Sequence, residues 1–186
     1  MNSEFINPLA IVSQFGLRPG MQVADFGAGA GYFTVLMAQQ VGESGMVTAV
    51  DVMEPALESV RVKAAAAGVR NLQTKRADLE VLGSTGLGDF SQDFVLLANI
   101  LFQSQKRAEI ISEARRVLKV GSDLVIIDWK KEAGVPRPEG AGGFGPPSAE
   151  RLDPNTIKAL VESSGFISVR AFAAGDFHFG LVFQKS

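Results

Sequence analysis

The chain has 186 residues, 46% of them hydrophobic and 20% charged, with a formal net charge of −2. That length and apolar content fit one folded domain with a sizeable core and exclude an intrinsically disordered chain. With no cysteine, disulfide and Cys-ligated zinc frameworks are excluded, and the near-zero charge argues against bulk binding to nucleic acid or an anionic membrane.

The N-terminus has no basic segment leading into an apolar stretch and carries Glu4, so no signal peptide is expected. No apolar run approaches the roughly 18 residues of a membrane span. The expected setting is cytoplasmic. A short helix is expected over residues 8–15, followed by a first strand at 21–26 (MQVADF). A helix at 32–41, with Phe33, Leu36, Met37 and Val41 on one face, leads to a second strand at 46–51. A helix at 54–67 follows, its face formed by Leu57, Val60, Ala64 and Ala67. Strands at 71–76 and 93–98 come next. A helix at 104–120, carrying Ile110, Ala114, Val117 and Leu118, precedes a fifth strand at 123–129. Gly42, Gly68 and Gly121 stand where left-handed residues close helices. Asp153-Pro154 reads as the cap and first residue of another helix, closed by Gly165.

Strands alternating with helices predict βαβ units and a parallel sheet; four of the five strands read as nearly continuous apolar runs, as strands covered on both faces do. The chain ends differently. Runs at 166–172 and 177–184 are joined by only Ala173-Ala174-Gly175-Asp176, which makes an antiparallel hairpin. Residues 133–147 (AGVPRPEGAGGFGPP) belong to no element. They leave from the carboxyl edge of the sheet and are expected to form a flexible lid.

The most informative stretch is VADFGAGAGYFT, residues 23–34. A strand ends at Phe26, the loop Gly27-Ala28-Gly29-Ala30-Gly31 follows, and a helix opens, presenting free N–H groups at its positive end. The loop departs from the dinucleotide fingerprint, since its third glycine comes one position early and Tyr32 stands in that place; it is not followed by the Gly-Lys-Ser/Thr of a P-loop. Asp51 ends the second strand, 20 residues beyond Gly31, where a carboxylate can accept from both hydroxyls of a ribose. Asp78, past the third strand, can accept from an adenine amino group. Asp25, beside the loop, can hold a cationic amino group. All three acids fall on one edge.

The segments DFGAGAGYFT (25–34), VTAVDVM (47–53), RADLE (76–80), DFVLLANILFQ (93–103) and EARRVLKVGSDLVIIDW (113–129), with the closing HFGLVFQK (178–185), resemble class I S-adenosylmethionine-dependent methyltransferases of the UbiE-like or type 11 group. The resemblance covers nearly the whole chain. It departs at Val120-Gly121-Ser122, where many relatives carry Pro-Gly-Gly.

The resemblance implies an α/β fold: a Rossmann-like, doubly wound, seven-stranded sheet, mostly parallel with an antiparallel C-terminal strand and helices on both faces, as one domain over 1–186. It implies S-adenosyl-L-methionine as cofactor and S-adenosyl-L-homocysteine as product; with one His and no clustered carboxylates in the sequence, no metal is expected. The backbone of Gly27, Ala28, Gly29 and Gly31 would pass the methionine part, and Asp25 would orient its amino group. Asp51 would take the ribose hydroxyls, with Val52 and Met53 against the adenine. Asp78 would meet the adenine amino group, with Leu79 on the ring. Asn99 would line the methionine side, partly through its backbone. The implied reaction is in-line displacement of a methyl group from a sulfonium, driven mainly by alignment of the reactants.

Candidates for the acceptor pocket are Tyr32, Phe102 and Trp129, each of which is as well explained by ordinary packing. His178, the only histidine, alternates with phenylalanines on the last strand and reads as structural or surface-exposed rather than as a base. No catalytic acid or base is identified. Absence of an Asn-Pro-Pro-aromatic motif after the fourth strand argues against amide or adenine nitrogen as acceptor. Absence of cysteine removes thiol-dependent arsenic chemistry, and no nucleic-acid partner is expected. A small, partly apolar acceptor remains. The alternatives are a cofactor-binding module without catalysis of its own and a nicotinamide-dependent oxidoreductase.

Overall fold

The computed structural model describes residues 6–131 and 145–186. The elements follow in the order α1 Pro8–Val12, β1 Gln22–Phe26, α2 Tyr32–Val41, β2 Met46–Asp51, α3 Glu54–Ala66, β3 Leu72–Arg76, β4 Gln92–Ala98, a 3-10 turn at Leu101–Gln103, α4 Arg107–Val117, β5 Leu118–Trp129, α5 Pro154–Ser163, β6 Phe166–Ala173 and β7 His178–Lys185. Among the described residues, no helix is long and apolar enough to cross a membrane.

Seven strands form one sheet in the order β3-β2-β1-β4-β5-β7-β6. β1 to β5 pair in parallel, while β7 is antiparallel to both β5 and β6. The antiparallel strand is therefore inserted between β5 and β6, not placed last in the sheet. The hairpin folds back so that β6 becomes the edge.

The central strands are buried on both faces, and successive residues alternate between two cores, as a period of two requires. Phe94 and Leu96 join Val23, Met37, Val41, Val125 and Ile127 on the face covered by α1 and α2. Val95 and Leu97 join Phe26, Leu124, Ile126, Ile110, Val117 and Val161 on the opposite face, under α4 and α5. In α2 the buried set is Thr34, Val35, Met37, Ala38 and Val41; of the expected stripe Met37 and Val41 are buried while Phe33 and Leu36 are only half-buried, the buried face being turned because α1 and α3 also pack on this helix. Asp153 caps α5, accepting from the Asn155 N–H at 2.8 Å.

The helix before β5 is shorter than its periodicity predicts. It ends at Val117, and Leu118 already pairs with Gln92 in the sheet. Gly121 closes no helix. Its φ of +77° belongs to an irregularity in β5, where the pairing moves from Gln92↔Leu118 to Phe94↔Asp123. Leu118 faces the core in either conformation, so its place in the apolar period could not mark the helix end.

Candidate active site

The strand order reverses between β1 and β4, and the loops leaving their carboxyl ends diverge there, opening a crevice. A cavity of about 980 Å³ lies along this edge. It runs from the loop after β3, past the ends of β2, β1 and β4, to Trp129 at the end of β5 and His178 at the start of β7.

The glycine loop is fixed by its own backbone. The N–H groups of Gly27 and Ala28 donate to the Val50 carbonyl at 2.8 and 3.1 Å, and the Gly31 N–H donates to Ala28 at 2.9 Å. Gly27 has φ +77°, and a Cβ there would run into the Ile100 side chain. Gly27, Ala28 and Gly29 line the cavity. Gly31 is not among the lining residues. It is the left-handed residue preceding α2, with φ +78°, and a Cβ there would lie 2.9 Å from Val60 Cγ2. Its role is to let α2 and α3 approach closely.

Asp51 ties this loop to β2. Its Oδ2 accepts from the Gly29 N–H and its Oδ1 from the Met53 N–H, both at 2.9 Å. Asp25 lies beneath the loop, 2% exposed, and accepts from Thr34 Oγ at 2.5 Å. Burial raises its pKa to about 7; the Thr34 hydrogen bond works in the opposite direction, and the Asp51 charge adds to the rise.

Beyond β3, Asp78 accepts from the Glu80 N–H at 2.9 Å in a tight turn that directs Leu79 inward, where it is buried. Glu80 in turn accepts from Ser104 Oγ at 2.6 Å and pairs with Lys106 at 3.3 Å, so the loops after β3 and β4 are clasped across the cavity. Asp78 and Leu79 line the cavity, as do Val52 and Met53, which are 56% and 60% exposed and form its rim. Asn99 sits just past β4 with a left-handed φ of +57°. Its N–H donates to Ile127 at 2.8 Å and its carbonyl accepts from Gln103 Nε2 at 2.7 Å. Its side-chain Oδ1 is buried with no hydrogen-bond partner among the described residues.

Of the aromatic candidates, Tyr32 and Trp129 line the cavity. Tyr32 is 63% exposed, with Lys63 Nζ 4.6 Å from its ring centre. Phe102 is placed elsewhere: it lines a separate cavity of about 330 Å³ with Arg107, Lys131 and Leu152. What the Phe102 position contributes is its backbone N–H, which donates to Asp128 Oδ2 at 3.2 Å. Of the expected lid over 133–147, residues 133–144 lie outside the described residues, while Gly145 lines the cavity.

One residue that supports the site from behind, Asp128, was not singled out in the sequence. Asp128 is fully buried near the end of β5. Burial raises its pKa to about 6, against hydrogen bonds from the Trp129, Phe102 and Leu101 backbone and the charge of Arg107. It anchors the turn that follows Asn99. His178, expected to be structural or surface-exposed, is 3% exposed and packs obliquely on Trp129, and among the described residues neither ring nitrogen has a hydrogen-bond partner. Its signal was available in the hairpin: β7 runs against β5, so its first residue returns to the edge where β5 ends.

A doubly wound sheet with a glycine loop after β1 and carboxylates at the ends of β1, β2 and after β3 defines a nucleotide-cofactor fold. Residues 17–154 match the family model described as Methyltransferase domain. The chain belongs to that family, among the class I S-adenosylmethionine-dependent methyltransferases. It is 31% identical to the ubiquinone/menaquinone biosynthesis C-methyltransferase UbiE of Shewanella pealeana, over 64% of this chain and 47% of that protein. It is 26% identical to the arsenite methyltransferase of Halobacterium salinarum, over 88% of this chain and 41% of that protein. The chain thus spans about half the length of these curated relatives or less. Its fold matches the crystal structure of a SAM-dependent methyltransferase from Aquifex aeolicus with a TM-score of 0.84 and 28% identity, covering 98% of this chain and 91% of that one.

Proposed function

We propose that the chain is an S-adenosylmethionine-dependent methyltransferase acting on a small-molecule acceptor. The observation that carries this reading is the continuous cavity joining Asp25, Asp51, Asp78 and the glycine loop at one end to Trp129 at the other.

The residues present fit the cofactor. Asp51 offers acceptor positions for ribose hydroxyls while still holding the Gly29 N–H. Val52 and Met53 at the rim, with Leu79 and Ala77 further in, supply apolar surface for the adenine, and Asp78 an acceptor for its amino group. Asp25 pairs with the cationic amino group; a cation beside this buried carboxyl favours its ionised form and offsets the burial that raises its pKa. The unpartnered Asn99 Oδ1 takes a donor from the methionine portion. Gly31 and Phe102 act on this site through packing and backbone rather than by contact.

Bound S-adenosylmethionine supplies an activated methyl group on a sulfonium, passed to the acceptor by in-line displacement. The protein's own part is to hold two ligands in one orientation and exclude water, the kind of positioning worth about 7–11 kcal/mol in well-aligned reactions. The apolar lining serves the second task. The acceptor differs from arsenite, because the chain has no cysteine thiolate to capture arsenic.

The test is incubation of the purified protein with methyl-labelled S-adenosylmethionine and a small-molecule extract, read by mass spectrometry. The account expects label in a low-mass product. A folded protein that binds the cofactor but labels nothing would instead be a binding module.

A further inference from the structure

We propose that His178 and Trp129 form the acceptor subsite of this cavity, in which a ring nitrogen of His178 receives a hydrogen bond from a hydroxyl of an uncharged, flat acceptor lying against Trp129. The assignment rests on the methyl-transfer reading above and extends it to the class of acceptor.

The two residues are direct partners in the antiparallel β5–β7 register, so their side chains leave the same face of the sheet side by side. Their ring centres are 4.0 Å apart at an interplanar angle of 44°, and both rings line the cavity. Among the described residues neither Nδ1 nor Nε2 of His178 has a hydrogen-bond partner, although the side chain is almost wholly buried. Buried imidazoles ordinarily have at least one nitrogen satisfied, because an unmade hydrogen bond in a dry site is costly. A ligand group reaching into the cavity is the missing partner.

The charge of the surroundings selects that group. Burial, together with the positive charges of Arg151 and Lys130, pushes the imidazole down to about 4, so at neutral pH it is uncharged and has one bare nitrogen to accept a proton donor. The Arg151 guanidinium stands 5.5 Å from the Trp129 ring, held by the Pro146 carbonyl, and Lys130 Nζ is bonded to the Asp176 carbonyl. Two fixed cations beside an uncharged imidazole disfavour an ammonium acceptor at this end. The cavity's carboxylates, Asp25, Asp51, Asp78 and Glu80, all belong to the cofactor end. A hydroxyl satisfies the bare nitrogen without bringing in positive charge. Trp129, together with Phe33 and Ile100, offers apolar surface on which a planar ring can lie.

The chain has one histidine and one tryptophan, so each reports without ambiguity. The experiment uses full-length protein saturated with S-adenosylhomocysteine and three probes: 2-naphthol, 2-methoxynaphthalene, and the cation 2-naphthylmethylammonium. Nitrogen-15 NMR of the imidazole and quenching of Trp129 fluorescence are recorded. The proposal expects 2-naphthol to shift the His178 ring nitrogens and fix one tautomer. The other two probes should bind about tenfold more weakly, as for the loss of one hydrogen bond. His178→Phe keeps a ring beside Trp129; it should lower 2-naphthol affinity by about tenfold for the same reason and leave S-adenosylhomocysteine affinity unchanged. The proposal is overturned if the cofactor product binds but 2-naphthol does not, or if 2-naphthol and 2-methoxynaphthalene bind equally without moving the His178 signals. Failure of S-adenosylhomocysteine to bind would overturn the methyl-transfer reading itself, and the acceptor assignment with it.

Discussion

Asp51 Oδ2 accepts the backbone N–H of Gly29 at 2.9 Å. The carboxylate that ends β2 therefore shapes the glycine loop as well as lining the cavity, and under the proposed function ligand binding and loop geometry share one side chain. Asp51→Ala removes both. Each charge-assisted hydrogen bond is worth about 1.5–3 kcal/mol, so S-adenosylhomocysteine affinity should fall by at least about tenfold. Isothermal titration of the variant measures this, with circular dichroism confirming that the sheet is retained. Unchanged affinity would remove Asp51 from the ribose site.

Asp25 gives the site a pH dependence. Its pKa is raised to about 7 in the folded protein, so its protonated form favours the fold. That contribution is fully present below the ordinary carboxyl value and is lost as pH rises through about 7. A bound amino cation acts in the opposite sense and favours the carboxylate. Affinity for S-adenosylhomocysteine should therefore climb as pH rises toward 7 and then level off. Asp25→Asn should flatten the profile and weaken binding at pH 8; titrations at several pH values compare the two proteins.

Gly27 is constrained twice, by its φ of +77° and by Ile100. Gly27→Ala forces a side chain into left-handed backbone, costing about 1–2 kcal/mol, and displaces Ile100 from its place in the cavity wall. Ligand affinity should drop by more than that stability loss explains. Adding Ile100→Ala should recover part of the binding but not the backbone cost. Paired denaturation and titration of the single and double variants separate the two effects.

Glu113 supports the loop after β3 from beneath. Fully buried in α4, it accepts from Arg116 at 2.7 and 2.9 Å, from Thr85 Oγ at 2.5 Å and from the Gly83 N–H at 2.7 Å. Burial pushes its carboxyl up, but these hydrogen bonds prevail and hold it at about 2. Glu113→Ala should cost about 3 kcal/mol in urea denaturation, toward the low end for breaking a buried pair because Arg116 retains Asp89. Because the folded pKa is depressed, this contribution is present above pH 4.5 and disappears as pH falls through about 2. The gap between wild type and variant should close in acid.

The sheet, its parallel half and the glycine-loop end of the cavity were legible because their signals are local. Continuous apolar strands carried Asp25 and Asp51 at or next to their ends, and Gly27 through Gly31 announced a turn. At the far end of the cavity Trp129 was legible as the last residue of the fifth strand, but its neighbour was not, because that contact depends on pairing between distant segments. His178 reaches the edge only because β7 is antiparallel and paired to β5 in the register that sets it opposite Trp129. Phe102 follows β4 as Asn99 does, yet the 3-10 turn held by Asp128 sends it to another cavity. Asp128 itself sat unnoticed in an apolar run, since only the fold shows which backbone groups a buried carboxylate grips.

The central claim is that this cavity binds the methyl-donor cofactor. Calorimetric titration of the intact, folded protein with S-adenosylhomocysteine, at two temperatures so that a vanishing enthalpy cannot mask binding, tests it most directly. The account predicts saturable binding at one site per chain, weakened at least about tenfold in Asp51→Ala. A folded protein that shows no heat of binding at either temperature would contradict it.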